Sequence, residues 1–170
     1  MSFVMGNKQL SIGSDGNVIH DYLTRAAVQW PEKAGIVFYD TPITYAEMLE
    51  GAHRIAGFLT QDLGVTAGDR IMIQLQGTPQ FVMTYYGILM AGGDVVPVNP
   101  MNRVTELLHV ANDSGARIIF AADMDLDQIR ALKAAQAIDA AVIVSYSDYL
   151  RAPTALPIPV RLFLFSIPVC

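Results

Sequence analysis

The sequence predicts an α/β fold, a mostly parallel sheet with helices on both faces, and three observations carry that reading. From Arg70 onward, short apolar runs of strand length alternate with longer runs of helical periodicity. The links between them are short, which implies parallel strands joined by right-handed crossovers. The 170 residues are 52% apolar and 16% charged, enough for one domain to bury about 70% of its unfolded surface without disulfides or metals.

Residues 1–17 are polar and rich in Gly, Ser and Asn, without periodicity, and read as a flexible lead-in. Ile19, Tyr22, Leu23, Ala26, Ala27 and Trp30 repeat at helical spacing until Pro31, which predicts a short amphipathic helix. Ala34 to Tyr39 reads as a strand, Asp40-Thr41-Pro42 as a turn and Ile43-Thr44 as a brief returning strand. Thr44 with Glu47 forms a capping box opening a helix, worth about 1 kcal/mol for the cap. That helix places Tyr45, Met48, Leu49, Ala52, Ile55, Ala56, Leu59 and Leu63 on one face, and Gly64 closes it.

Arg70 to Leu75 is apolar and bounded by Gly68 and Gly77, as a strand covered on both faces would be. Thr78-Pro79 supplies a cap residue and a proline at the first helical position. Phe81 to Ala91 is apolar nearly all round, so this helix is expected to be buried. Strand Asp94–Asn99, helix Arg103–Asp113 ending at Gly115, strand Arg117–Ala122, helix Asp123–Gln136 and strand Ala140–Tyr146 follow. Pro97 removes a ladder donor, which places its strand at an edge or at a bend.

The organisation expected is a flexible segment 1–17, an α/β unit 18–150 and a Pro-rich apolar tail 151–170. Four of the nine prolines fall in 152–170, where Arg161 is the one charged side chain. The tail reads either as an edge strand from Val160 to Ile167 or as a truncated or out-of-frame end.

Cys170 is the single cysteine, which excludes an internal disulfide framework and multi-cysteine metal sites and makes the reducing cytoplasm the expected compartment. A net charge of −5, with no clustering of its 11 basic residues, argues against nucleic acid or an anionic membrane as partner. No secretory leader is read, and no apolar run approaches the roughly 18 residues of a membrane span. Average domains carry about 25% charged residues. The deficit here points to a large interior or to apolar surface that normally meets other protein, with self-association through it an expectation.

A set of segments then occurs in a telling order. Ile43-Thr44-Tyr45-Ala46-Glu47-Met48 resembles the "LTYxEL" signature of the adenylate-forming (AMP-binding) enzymes. Gly68-Asp69-Arg70, Pro79-Gln80-Phe81-Val82, Tyr85-Tyr86-Gly87-Ile88-Leu89-Met90-Ala91-Gly92-Gly93, Val95-Val96-Pro97-Val98-Asn99-Pro100 and Asn112-Asp113-Ser114-Gly115-Ala116-Arg117 follow in the family's order and spacing. The resemblance covers about residues 18–145 and is most like medium- or long-chain fatty-acyl-CoA synthetases. It implies a partial N-terminal domain of the adenylate-forming fold at 18–150. It also implies a reaction in which fatty acid and ATP give an acyl-adenylate and coenzyme A then displaces AMP, with magnesium assisting. In the family the phosphate loop and the catalytic motifs lie downstream of the matched region.

Within this chain the chemistry is sparse. All 13 glycines lie at or before Gly115, so a glycine-dependent phosphate loop is not expected in residues 116–170. Ser11 to Gly16 has loop composition but no following lysine, no preceding strand and an acid, Asp15, that would repel phosphate. Gly87 to Gly92 has the spacing of a phosphate loop but continues Gly93-Asp94, so helix termination and close packing explain it better. No GxGxxG occurs.

Asp123, Asp125 and Asp127 fail as a calcium loop, because Gln128 and Ala134 stand where glycine and glutamate are required; a solvated helix start fits them. His20, His53 and His109 lie on three separate helices without ligand spacing. Ser114 lacks a nucleophile elbow and Cys170 has no neighbouring base. Phe81, Met83, Tyr85 and Tyr86 are candidates for lining an acyl tunnel, with core packing favoured. Gly92, Pro97, Asn99 and Pro100 read as scaffold.

No catalytic, cofactor-binding or metal-binding residue is therefore assigned in this chain. The expectation is an N-terminal fragment of a fatty-acyl-CoA synthetase that is inactive alone, with ATP, magnesium and coenzyme A belonging to the completed enzyme. A non-catalytic α/β binding or interaction module is the alternative from another class. A compact nucleotide-binding protein of unrelated lineage ranks last for want of a phosphate loop.

Overall fold

A computed structural model describes residues 2–5, 8–11, 18–151 and 156. In chain order the elements are β1 (Ser2–Met5), β2 (Lys8–Ser11), α1 (Ile19–Gln29), β3 (Ala34–Phe38), β4 (Thr41–Thr44), α2 (Tyr45–Gln61) and β5 (Arg70–Gln74). Then come α3 (Pro79–Met90), β6 (Asp94–Pro97), α4 (Val104–Ser114), β7 (Ile118–Ala122), α5 (Leu126–Ala134) and β8 (Ala140–Val144). β5 to β8 form one parallel sheet in the order β6-β5-β7-β8. β1–β2 and β3–β4 are separate antiparallel pairs.

Strand alternation divides the core across this sheet. Met72, Ile119 and Ala121 face Leu107 and Ala111 of α4 and Ile129 and Leu132 of α5. Ile71, Ile73, Phe120 and Ala122 face the other way, onto Leu59 of α2 and Ile88 of α3. A third cluster, Leu23, Ile43, Met48, Ala52 and Met83, joins α1 and β4 to the outer side of α2 and α3. The parallel sheet with helices on both faces is as expected, and β5 is covered on both sides, with Ile71, Met72, Ile73 and Gln74 fully buried.

Local signals act where the sequence put them. Thr44 Oγ1 accepts from the Glu47 backbone N–H at 3.2 Å, and Glu47 Oε2 accepts from the Thr44 N–H at 2.8 Å. Thr78 Oγ1 accepts from the Phe81 N–H, with Pro79 in the first helical position. Gly115, at φ +70°, ends α4 in the left-handed conformation that glycine adopts without strain. β6 pairs with β5 alone, so Pro97 does lie on an edge strand. The Val98 N–H donates inward to Ile73 O at 2.9 Å, and backbone alternation therefore turns the proline nitrogen outward.

Five expectations need correction. Residues 1–17 contain the antiparallel β1–β2 pair, in which Ser2 pairs with Ser11 and Met5 with Lys8. The β3–β4 turn is Tyr39-Asp40, both at positive φ, while Thr41 and Pro42 already pair with Phe38 and Val37. A two-residue link between twisted strands requires that geometry. α1 buries Leu23 and Ala27, but Ile19, Tyr22 and, at the helix end, Trp30 of the same apolar stripe stay exposed, with Lys33 Nζ 5.4 Å from the Trp30 ring centroid. α5 begins at Leu126, after a 3-10 turn over Asp123–Asp125. β6 and β8 end at Pro97 and Val144, short of Asn99 and Tyr146. The strand read at Val160–Ile167 lies outside the described residues.

The end of the described chain is tied back to α2. Arg151 makes a 2.7 Å ion pair with Glu47, and its N–H donates to Thr41 Oγ1 at 3.4 Å. The Thr44 N–H, with Arg151 assisting against the cost of burial, holds the Glu47 carboxyl below its ordinary value of 4.5. A depressed carboxyl stabilises the fold above its unfolded value, and that contribution is lost as pH falls through the lowered folded value. Glu47→Gln is therefore expected to lower the urea midpoint at pH 7, with the gap to the parent chain closing as pH drops below 4.5. A gap of constant size from pH 7 to pH 3 would contradict this account.

Candidate functional site

In an open α/β sheet, ligands meet the C-terminal ends of the strands where connections diverge to opposite sides. Here that divergence falls between β5 and β7, because the chain leaves β5 for β6 on one flank and later returns to β7 on the other. The polar residues at this end come from four places. Gln74 ends β5, Gln80 opens α3, Asp123 and Asp125 follow β7, and Ser145 and Tyr146 follow β8.

Gln74 is fully buried, and its Nε2 donates to Gln128 Oε1 of α5 at 3.2 Å. Gln128 Nε2 in turn reaches Asp125 Oδ1 at 3.5 Å. On the α3 side of the sheet, Gln80 is 5% exposed and its Nε2 donates to Ser145 O at 2.7 Å. The buried Tyr146 hydroxyl accepts from the Gln76 N–H at 2.8 Å. Gln74 Oε1, Gln80 Oε1 and Asp123 Oδ2 are buried and have no hydrogen-bond partner among the described residues, as is Thr84 Oγ1 further along α3.

Burial, reinforced by Asp123, raises the Asp125 carboxyl above its ordinary value of 3.8. Burial also raises the Tyr146 hydroxyl, opposed by the Gln76 N–H and assisted by Asp125 and Asp123. A raised carboxyl weakens the fold once ionised, a penalty that is absent below the ordinary value and complete above the raised one. Asp125→Asn is thus expected to raise the thermal midpoint at pH 7 and to leave it unchanged near pH 3, as scanning calorimetry at both values would read. The arrangement is rich in acceptors and poor in donors. Its carboxylates would repel a triphosphate, and no nucleophile stands paired with a base among the hydrogen bonds described at this end.

The residues singled out in the sequence are placed elsewhere. The adenylate-family segments serve as caps, turns and close contacts. Asp69 Oδ2 accepts from the Thr66 N–H at 2.7 Å, Arg70 donates to Ser114 O at 2.7 Å, and Asn99 Oδ1 accepts from the Met101 N–H at 2.9 Å. Ser114 Oγ donates to Val110 O at 2.6 Å, the role of a helix end. Gly87 sits against α2 and Gly92 has φ +83°. Phe81 and Tyr85 pack against one core cluster and Met83 and Tyr86 belong to another, with the Tyr85 and Tyr86 rings meeting edge-on at 5.9 Å.

His20, His53 and His109 remain on three helices, and among the described residues no three His, Cys, Asp or Glu side chains are grouped to hold a metal. The solvated helix start holds for Asp127, paired with Arg130 at 2.9 Å, but not for Asp123 and Asp125, which are half-buried because they lie on the turn that closes over the strand ends. Residues 12–17 of the glycine-serine loop and Cys170 lie outside the described residues. An open groove of about 480 Å³ between α1 and α2 is lined by the apolar Ala27, Val28 and Leu49 and by the polar His53 and the Glu50–Arg54 pair. No described helix is long and apolar enough to cross a membrane.

Sequence reading gave Gln74, Gln80, Gln128 and Tyr146 no part in a shared polar site, although Gln80 stands in a family segment, Gln128 in the rejected calcium loop and Tyr146 at a strand end. The available signal was a pair of glutamines inside apolar runs, at positions where the pattern calls for core residues.

Comparison with known proteins gives a consistent result. The AMP-binding enzyme family matches residues 23–160. A long-chain-fatty-acid–CoA ligase of Bacillus subtilis (strain 168) is 34% identical over 141 residues, covering 83% of this chain and 25% of the relative. The corresponding ligase of Salmonella typhimurium (strain LT2) is 35% identical over 94 residues, covering 55% of this chain and 17% of the relative. The N-terminal domain of FACL13 from Mycobacterium tuberculosis superposes with a TM-score of 0.68 at 26% identity, over 74% of this chain and 33% of that one. The chain therefore spans a quarter or less of these two curated relatives.

Proposed function

Because the chain belongs to the AMP-binding enzyme family, we propose that it forms the N-terminal part of an acyl-CoA ligase acting on fatty acids, and that these 170 residues do not turn over by themselves. The observation that carries the reading is the likeness to a long-chain-fatty-acid–CoA ligase across 83% of the chain. In this role the chain's own residues build and hold a sheet rather than move a proton or an acyl group.

ATP, magnesium and coenzyme A are the groups such a ligase would use. The described residues do not fit the triphosphate of ATP. The ends of β5 and β7 offer carboxylates and amide oxygens where a triphosphate needs N–H donors. Residues 116–170 contain no glycine for a phosphate loop.

The purified chain is expected to show no ATP–pyrophosphate exchange with decanoate or palmitate, and exchange above a protein-free blank would overturn its inactivity. Residues 18–150 grafted in place of the matching segment of the Bacillus subtilis ligase are expected to support exchange. A folded graft without it would overturn the ligase assignment.

The alternative, a non-catalytic binding or interaction module, draws on the burial of both sheet faces within this chain. It predicts a sharp two-state melt and a single oligomeric state. The fragment reading predicts broad melting with dye binding and self-association, as exposed Val28, Val37 and Met101 suit.

A further inference from the structure

We propose that the segment Val160–Ile167 adds to β8 as a fifth strand of the parallel sheet, antiparallel to β8 and from the same molecule. The inference concerns the chain's own continuation and is independent of the ligase reading.

β8 stands at an edge but is composed like an interior strand. Among the described strands it pairs with β7 alone. The Ala140 N–H donates to Arg117 O at 3.2 Å, toward β7, so backbone alternation turns the N–H and C=O groups of Ala141 and Ile143 to the open side. Among the described residues no backbone group bonds to them there. Edge strands that meet water are guarded by a proline, a bulge or a charge. β8 has none of these, and none of its five residues is exposed. Ala141 and Ile143 pack against the cluster of α4 and α5, and Val142 and Val144 against the cluster of α2 and α3. Apolar contact on both faces is the pattern of a sheet interior, where a further strand lies alongside.

The chain carries a segment suited to that place. Val160 to Ile167 reads VRLFLFSI, apolar at all but Arg161 and Ser166, and Pro159 and Pro168 bound it without interrupting it. Its aromatic and branched residues fall on both alternating faces, matching a sheet that is covered on both sides. Reach allows the return. Arg151 is held by Glu47 and Thr41, and the seven residues from Val144 place it at most about 25 Å from the end of β8. Residues 152–159 extend to about 26–29 Å, so Val160 can come back beside Val144. A segment arriving at that end runs antiparallel and needs no crossover helix. The short link also holds it at an effective concentration on the order of mM, which favours its own β8 over that of another copy.

The test follows amide hydrogen exchange by NMR in the full chain at pH 7 and at two protein concentrations. The Ala141 and Ile143 amides are expected to exchange slowly at both, with cross-strand Overhauser contacts between 140–144 and 160–167. In the double variant Leu164→Pro, Phe165→Pro, one of the two lost N–H groups must belong to the new ladder, and both outward amides should exchange at least about tenfold faster. Continued protection of the inward Ala140, Val142 and Val144 amides would show that the variant is folded. The cross-strand contacts of the unaltered chain are a second readout that needs no variant. Rapid exchange of Ala141 and Ile143 in the unaltered chain, absence of the cross-strand contacts, or unchanged exchange in the proline variant would overturn the proposal. So would protection that disappears on dilution, with contacts between labelled and unlabelled molecules, which would assign the added strand to a second copy.

Discussion

Phe120→Ala is expected to cost about 3–5 kcal/mol, the range for truncating a fully buried aromatic. Phe120 lies in β7, an interior strand of the sheet, at 2% exposure. It belongs to the cluster that holds Leu59 of α2, Ile88 of α3 and Tyr146 beyond β8. Removing its ring would leave a void bounded by a backbone sheet and two helices, elements that relax little. Total stabilities are about 5–15 kcal/mol, so this single change should leave a substantial unfolded fraction at 37 °C. Phe120→Leu, which keeps most of the volume, should cost markedly less. Urea denaturation of the two variants decides the matter, and a loss below about 1 kcal/mol for the alanine variant would mean that the cluster does not hold the domain together.

Gly87→Ala should be the other severe change, at about 2–3 kcal/mol from overpacking. A Cβ at this position would stand 2.7 Å from Ile55 Cβ and Cγ2 and 2.9 Å from the carbonyl oxygen of Ala52. A β-branched stem and a backbone oxygen cannot swing aside, so α2 and α3 would have to separate. Gly51 offers the control on the same interface. A Cβ there would meet Met83 Sδ at 2.5 Å and Cγ at 3.1 Å, atoms of a flexible thioether that can change rotamer. Gly51→Ala also gains the helix propensity of alanine, about 1 kcal/mol, and should be close to neutral. If the two alanine variants had equal urea midpoints, the helix contact at Gly87 would not be the tight one.

These two positions show how unevenly the sequence discloses its fold. Phe120 is legible as core because Arg117 to Ala122 is a short apolar run inside an alternating pattern. Gly87 was legible as a family segment and as close packing, but its partner across the interface could not be read. Caps and the edge proline declared themselves locally, since each depends on residues a few positions apart. The contacts at the strand ends did not. Gln74 meets Gln128 across 54 positions and Gln80 meets Ser145 across 65, and no periodicity encodes such meetings.

Asp123 and Asp125 misled for a related reason, because acids before a helix usually face water and here the turn folds over buried strand ends. α1 shows the complementary gap. Spacing reveals that Ile19, Tyr22 and Trp30 share a stripe with Leu23 and Ala27, but not that only the latter pair is covered.

The two rims of the central sheet are unlike, and this gives any further assembly a direction. At the β6 rim an imino nitrogen interrupts the outward row of donors. At the β8 rim the stretch Ala140–Val144 has every N–H intact and wholly aliphatic side chains. A newcomer strand, whether a continuation of this polypeptide or a neighbour in a concentrated solution, would zip onto the second border and find the first a poor template.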